Sequence, residues 1–121
     1  MAKSKVVRRI KSYSSASGYV YQYHFHELAP SRRGLASGNE YTYLVSADRT
    51  TAIPIKIFVR RDAVEQWAKK NGRTLSGTEE YAAAKMRLFQ AFDETENPVS
   101  AHQDLMVDAS NLESLLAQLD L

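Results

Sequence analysis

The sequence predicts an α+β fold: a four-stranded antiparallel meander followed by two helices packed on one face, plus a C-terminal helix. Two observations carry this prediction. Apolar side chains recur every second residue through much of the chain up to Val59, which is the period of a β-strand. From Arg61 onward they recur every three or four residues, which is the period of a helix. Strands that come first and helices that follow are the arrangement of an α+β domain.

The strands are expected where short alternating segments are bounded by turn-forming residues. The four predicted strands are residues 6–13, 19–28, 40–47 and 52–59. Residues 29–39, APSRRGLASGN, are rich in Gly, Pro and Ser and are predicted to form a long loop. Pro54 cannot donate a backbone hydrogen bond, so the fourth strand is expected to lie at an edge or to start after it.

Each predicted helix opens with an acidic or hydroxyl residue that is followed three positions later by glutamate, the spacing of a capping box. These pairs are Asp62 with Glu65, Ser76 with Glu79, and Ser110 with Glu113. The first helix is expected to end at Asn71-Gly72, and the second is expected to run to about Glu94. Between the second and third helices, residues 103–107 could form a short strand.

The core is expected on one face of the sheet, beneath the first two helices. The inward side chains of the strands would be Tyr19, Tyr21, Tyr23, Phe25, Tyr41, Tyr43, Val45, Ile53, Ile55 and Ile57. The helices would cover them with Val64, Trp67, Leu88, Phe89 and Phe92. Strict alternation then turns the even-numbered residues of the second strand, including His24 and His26, to the opposite face.

Charge is divided unevenly along the chain. All 16 lysines and arginines lie at or before Arg87, together with seven acidic residues, which gives this part a net charge of +9. The remaining 34 residues hold seven acidic residues and no basic one, a net charge of −7. We therefore expect a basic α+β domain over residues 1–95 and an acidic C-terminal linker and amphipathic helix over residues 96–121. Such segregation is typical of contact with a polyanion, of an interaction tail, or of one part docking on the other.

The composition limits the compartment and the chemistry. The chain has no cysteine, which excludes disulfides, thiolate metal sites and cysteine nucleophiles and is typical of a reducing compartment. No segment reaches the roughly 20 apolar residues that a membrane-spanning helix needs. The charged N-terminus is not followed by the apolar run of a secretory signal. We expect a cytoplasmic protein with no membrane partner, and no residue pattern indicates a cofactor.

His24 and His26 are the candidate metal ligands. Side chains two apart on a strand point the same way, so both imidazoles could meet one ion. Glu27 is expected on the opposite face, and a third ligand would have to come from His102 or Glu40. No nucleophile elbow or phosphate-binding glycine motif accompanies them. A small metal-dependent enzyme at His24 and His26 is therefore only the second alternative function.

The function expected first is a small non-enzymatic interaction module that self-associates and binds another macromolecule. The candidate interaction residues are Arg32, Arg33, Arg60, Arg61, Leu112, Leu115, Leu116 and Leu119. The four leucines form an apolar stripe at helical spacing, which must be buried against the chain's own sheet, a second copy or another protein's groove. Exchange of this helix between two copies would give a homodimer.

Nucleic-acid binding is the first alternative function. The candidate phosphate-binding residues are Arg8, Arg9, Lys11, Lys69 and Lys70, which could form a basic stripe together with the arginine pairs. The tyrosines of the predicted sheet could stack on unpaired bases, although a domain of this size also needs those rings in its core. The acidic C-terminal part could then cover the stripe and compete with a polyanion.

Overall fold

The computed structural model describes residues 10–94 and 104–119, and there it forms one five-stranded sheet and three helices. In chain order the elements are β1 (Lys11–Ser14), β2 (Val20–Arg33), β3 (Ala36–Ser46), β4 (Ile53–Arg60), α1 (Arg61–Asn71), α2 (Gly77–Glu94), β5 (Asp104–Val107) and α3 (Leu112–Ala117). The predicted α+β class is confirmed. The first predicted strand overlaps β1 only in part, because its residues 6–9 lie outside the described part of the chain.

The strands lie in the sheet in the same order as in the chain. β1 to β4 pair antiparallel as a meander, whereas β5 lies parallel to β4, with Lys56 opposite Asp104. Parallel neighbours need a crossover connection, and α1 and α2 lie within that connection. The sheet is therefore mixed. β5 pairs with residues 56–59 of β4 and does not reach Pro54. The missing N–H of Pro54 therefore removes no hydrogen bond between β4 and β5.

The long loop predicted over residues 29–39 is wrong. β2 and β3 form a hairpin of 14 and 11 residues, which is closed by only two residues, Gly34 and Leu35. Gly34 has a φ of 61° at the first central position, as in a type II′ turn, whose twist suits a hairpin. Pro30 is accommodated within β2 because no strand of the described chain lies beside residues 27–33 on the side away from β3.

A β-bulge interrupts the alternation predicted for the second strand. The pairing register of β2 with β3 shifts between Phe25 and Glu27, which makes His26 the extra residue. Beyond the bulge, Glu27 pairs with Thr42, which points to the outer face of the sheet, away from the core. Glu27 therefore shares that face with His24, and its predicted placement on the opposite face is wrong.

The core lies between the inner face of the sheet and α2. Of the predicted positions, Tyr21, Tyr23, Tyr41, Tyr43, Val45, Ile55, Ile57, Leu88 and Phe92 are buried, and Phe25, Val64, Trp67 and Phe89 are partly buried against them. The rings of Tyr21 and Phe92 stack with their centroids 4.4 Å apart. Tyr19 is 44% exposed, contrary to the prediction, because it precedes β2 and belongs to the turn after β1. Its carbonyl oxygen there accepts a hydrogen bond of 2.8 Å from the backbone N–H of Ser15.

The acidic C-terminal part completes this same core. Leu112, Leu115 and Leu116 of α3 are buried, and Leu119 packs partly against the cluster that also contains Leu105 and Val107 of β5. The carboxylate of Glu113 accepts a hydrogen bond of 2.9 Å from Lys70 of α1. The leucine stripe was expected to be buried against the chain's own sheet, a second copy or another protein. In the structure it packs in the chain's own core. Residues 96–103 of the predicted linker lie outside the described residues.

The three predicted capping pairs have different outcomes. The pair at the start of α2 is confirmed, with the Ser76 hydroxyl accepting from the Glu79 N–H at 3.1 Å and the Glu79 carboxylate accepting from the Ser76 N–H at 2.9 Å. The role predicted for Asp62 is wrong, because Arg60 is the N-cap of α1 and binds the Asp62 carboxylate with its guanidinium. The third pair is also wrong, because α3 has Asn111 at its N-cap and no side-chain cap.

A hydrogen-bonded clamp joins β3 to the first turn of α2. The Tyr41 hydroxyl donates to Oε2 of Glu80 at 2.7 Å, and the side-chain amide of Asn39 donates to the same oxygen at 2.8 Å. Burial, followed by the hydrogen bond to Glu80, raises the pKa of Tyr41. Hydrogen bonds to an ionised group are among the stronger ones in proteins. The clamp therefore fixes where α2 begins to cross the sheet.

Replacing Tyr41 by Phe should lower the free energy of unfolding by about 1.5–3 kcal/mol, because the buried hydroxyl donates to a carboxylate. The matched control is Tyr43→Phe. The Tyr43 hydroxyl is buried beside Tyr81 and bonds to no carboxylate within the described residues, so its removal should change stability by less than about 1 kcal/mol. Urea unfolding of the three proteins measures both effects, and equal losses would contradict the clamp.

Replacing Gly38 by Ala should destabilise the protein by about 1–3 kcal/mol. A Cβ atom at this position would overlap the carbonyl oxygen of Val59, so β3 and β4 would have to separate. Gly77→Ala is the control, because a Cβ there meets no atom within 4 Å. That change should stabilise by about 0.4–1 kcal/mol, through the reduced freedom of the unfolded chain. Thermal unfolding midpoints that shift in the same direction would contradict the tight packing at Gly38.

Candidate interaction surface

A cleft lies between the closed end of the β2–β3 hairpin and the first turns of α1, and we call it the hairpin cleft. Its volume is about 460 Å³, within the range of roughly 300–1,000 Å³ that is typical of ligand sites. It is lined by Arg33, Leu35, Ala36, Ser37, Arg60, Arg61, Asp62 and Glu65. The two-residue turn brings the hairpin to this cleft, and α1 reaches it because the helix begins directly after β4.

Arg33 anchors the hairpin wall of the cleft. Its guanidinium donates to Oε2 of Glu40 at 3.1 Å and lies over the ring of Phe58, 5.0 Å from the centroid. Phe58 is fully buried and belongs to β4, where it pairs with Glu40 across the sheet. These contacts join β2, β3 and β4, so the end of the hairpin is fixed relative to the sheet.

The charged residues of the helix wall fall into two kinds. Arg60 and Asp62 satisfy each other through two hydrogen bonds of 2.9 and 2.6 Å, which lower the pKa of Asp62. Arg61 and Glu65 lie one helical turn apart, and both are exposed. Neither forms an ion pair within residues 10–94 and 104–119. The cleft thus offers one cation and one anion that are available to a partner.

Apolar side chains accompany these charges at the end of the hairpin. Leu35 lies at the rim of the cleft and is 99% exposed, and Leu28 of β2 is 50% exposed. Single exposed leucines are common on protein surfaces. Leu35 differs from most of them because it stands in a two-residue turn, beside a concave surface and between arginines. The arrangement can bury an apolar group and pair charges of both signs in one contact.

The structure brings some of the predicted interaction residues together and separates others. Arg33, Arg60 and Arg61 meet in the hairpin cleft, whereas Arg32 is exposed on β2 and does not line it. The predicted leucine stripe lies in the core and offers no exposed apolar face. Sequence reasoning missed Leu35 and Glu65. A signal for Leu35 was present, because a Gly-X pair between two strand-like segments is typical of a two-residue hairpin turn.

The residues predicted to bind nucleic acid do not collect into one stripe within the described chain. Lys11 lies on β1, at the opposite edge of the sheet from β5, whereas Lys69 and Lys70 lie near the end of α1. Lys70 is paired with Glu113. Arg8 and Arg9 lie outside the described residues. The predicted stripe would therefore have to extend across several elements and past carboxylates.

The tyrosines predicted to stack on bases are mostly inaccessible. Tyr21, Tyr23, Tyr41 and Tyr43 are between 0 and 5% exposed beneath α2. Their rings contact other aromatic rings of the core, including those of Tyr81 and Phe92. Base stacking needs an open ring face, so this face of the sheet cannot serve as a platform while α2 is in place.

The two candidate metal ligands lie near the bulge of β2. His24 lines a shallow cavity of about 130 Å³ on the outer face of the sheet, together with Gln22, Leu44 and Ser46. His26 is the extra residue of the bulge, so strand alternation no longer fixes the face on which its imidazole lies relative to His24. Within the described residues there is no group of three or more His, Asp or Glu that could hold a metal ion. Of the two residues predicted as a possible third ligand, His102 lies outside them and Glu40 is paired with Arg33.

In the part of the chain that the structure describes, no helix has the length and apolar character needed to cross a bilayer. Comparisons with family models, with curated proteins and with solved structures find no significant match to this chain.

Proposed function

We propose that the protein is a small non-enzymatic interaction module that binds protein partners, a second copy of itself among them, through the hairpin cleft. The observation that carries this proposal is the fully exposed Leu35 at the rim of a cleft whose helix wall offers Arg61 and Glu65. An apolar group surrounded by polar and charged ones is the usual composition of a protein-binding surface. Arginine is also enriched in such surfaces.

The mixture of charges favours a protein segment over a polyanion. Asp62 and Glu65 lie among the arginines of the cleft, and Arg33 and Arg60 each already bind a carboxylate. A phosphate chain would have to displace those carboxylates and approach the negative charge of Glu65, which is unfavourable. A peptide carries groups of both signs and can pair with Arg61 and Glu65 together.

The rigidity of the cleft supports binding at a low entropic cost. The hairpin is closed by a turn of only two residues, and Arg33 holds its end through Glu40 and Phe58. A surface that is already in its bound shape loses little conformational freedom when a partner binds.

We also propose a cytoplasmic location. The chain has no cysteine among its 121 residues, which suits a reducing compartment.

Capture experiments with the tagged protein in an extract of its source cells test the proposal. Wild type should retain a defined set of proteins that Leu35→Asp and Arg61→Glu lose, at least about ten-fold each by quantitative mass spectrometry. The matched control is Lys69→Glu, which makes the same charge change on an exposed residue of α1 outside the cleft. It should retain the wild-type set, because the contacts of the cleft are intact.

Treatment of the extract with nuclease separates this function from the alternative. Retention that survives the nuclease supports a protein partner. Retention that disappears with the nuclease, or direct binding of a labelled single- or double-stranded oligonucleotide whose affinity falls steeply with salt, would instead favour nucleic-acid binding. Retention that is equal in the wild type and in both cleft variants would exclude the hairpin cleft as the binding surface.

A further inference from the structure

We infer that the hairpin cleft receives a second copy of this chain, in a two-fold dimer in which Arg61 of each copy pairs with Glu65 of the other. Leu35 of each copy packs into the partner's cleft. The inference rests on the proposed function, because it names the occupant of the same surface. It commits to an arrangement of the two copies that can be tested by exchanging charges.

The charges of α1 are complementary to themselves. Arg61 and Glu65 are exposed, lie one turn apart, and have no ion-pair partner within the described chain. When two copies of a helix run antiparallel about a two-fold axis at the level of residue 63, position 61 of one copy faces position 65 of the other. The same contact then occurs twice, as an isologous interface requires. One contact surface thus satisfies both charges of both copies.

Other registers of the two helices are less favourable. An axis at the level of residue 65 would place Glu65 against its own copy and Arg61 against Lys69, which are like charges. An axis at the level of residue 67 would pair Glu65 with Lys69, but it would draw the first turn of each helix away from the partner. The hairpin cleft lies at that first turn, so the register centred on residue 63 is the one that keeps the hairpin ends in contact.

The hairpin end supplies the apolar part of the same interface. Leu35 is 99% exposed in one copy and lies beside the charged wall of its own cleft. In the dimer that we infer, each Leu35, which lies at the rim of its own cleft, packs against the partner's cleft and leaves water. Charge pairs then surround an apolar contact, and such pairs set the register of an interface more than its strength.

Charge exchange tests the arrangement. Wild type should sediment as a dimer, whereas Arg61→Glu and Glu65→Arg should each sediment as monomers, with a dimer dissociation constant raised at least about ten-fold, because each places like charges opposite one another twice. An equimolar mixture of the two variants should form a dimer again, since the copy with two glutamates then faces the copy with two arginines. The double variant Arg61→Glu/Glu65→Arg should also recover the dimer.

Leu35→Asp should abolish the dimer in the wild-type charge background. Thermal unfolding shows whether each variant is folded, which we expect because all three side chains are exposed. A monomeric wild type, single variants that stay dimeric, or a mixture that stays monomeric would each overturn the inference. If one of these results appears while capture of another protein still depends on the cleft, the proposed function stands and its occupant is a different protein. If the dimer behaves as expected but no other protein is captured through the cleft, the inferred dimer stands and the binding of another protein is excluded.

Discussion

The packing of the tyrosine-lined sheet face against α2 is the constraint on which the rest of the structure depends. Stacking of Tyr21 on Phe92 and the bond from Tyr41 to Glu80 fix α2 at both of its ends. Once α2 is fixed, β5 and α3 complete the same core. The large rings are buried in this packing and cannot contact a partner. The surfaces available for recognition are those that α2 does not cover, above all the end of the β2–β3 hairpin.

Sequence periodicity predicted the elements that contact this core and failed beyond it. Residues 21–25 and 41–45 alternate because one side of each strand is buried, and burial is what creates the pattern. The hairpin end extends past α2, so no apolar side chains are needed on one face of residues 29–33. Their composition therefore resembles that of a loop. The bulge at His26 was invisible for a related reason, because a single extra residue is defined only by the partner strand.

The candidate surface could be predicted in its parts but not as an arrangement. Arg33, Arg60 and Arg61 could be named from the sequence because adjacent arginines stand out. Which of them are already paired depends on Glu40 and Asp62, and those contacts arise only when three strands and a helix have assembled. Likewise, the spacing of the leucines in α3 predicted that they are buried. It did not predict that they pack in the chain's own core beside β5, because that depends on the assembled sheet.

No strand of the described residues lies beside residues 27–33 of β2 on the side away from β3, and this has a consequence for how copies of this chain can meet. A bare strand margin normally invites other strands to add by main-chain hydrogen bonds, which leads to open-ended stacking. Here the bulge at His26 and the missing N–H of Pro30 interrupt that margin at two points. Addition of a further strand along this margin is therefore disfavoured, and with it the open-ended stacking that such addition leads to.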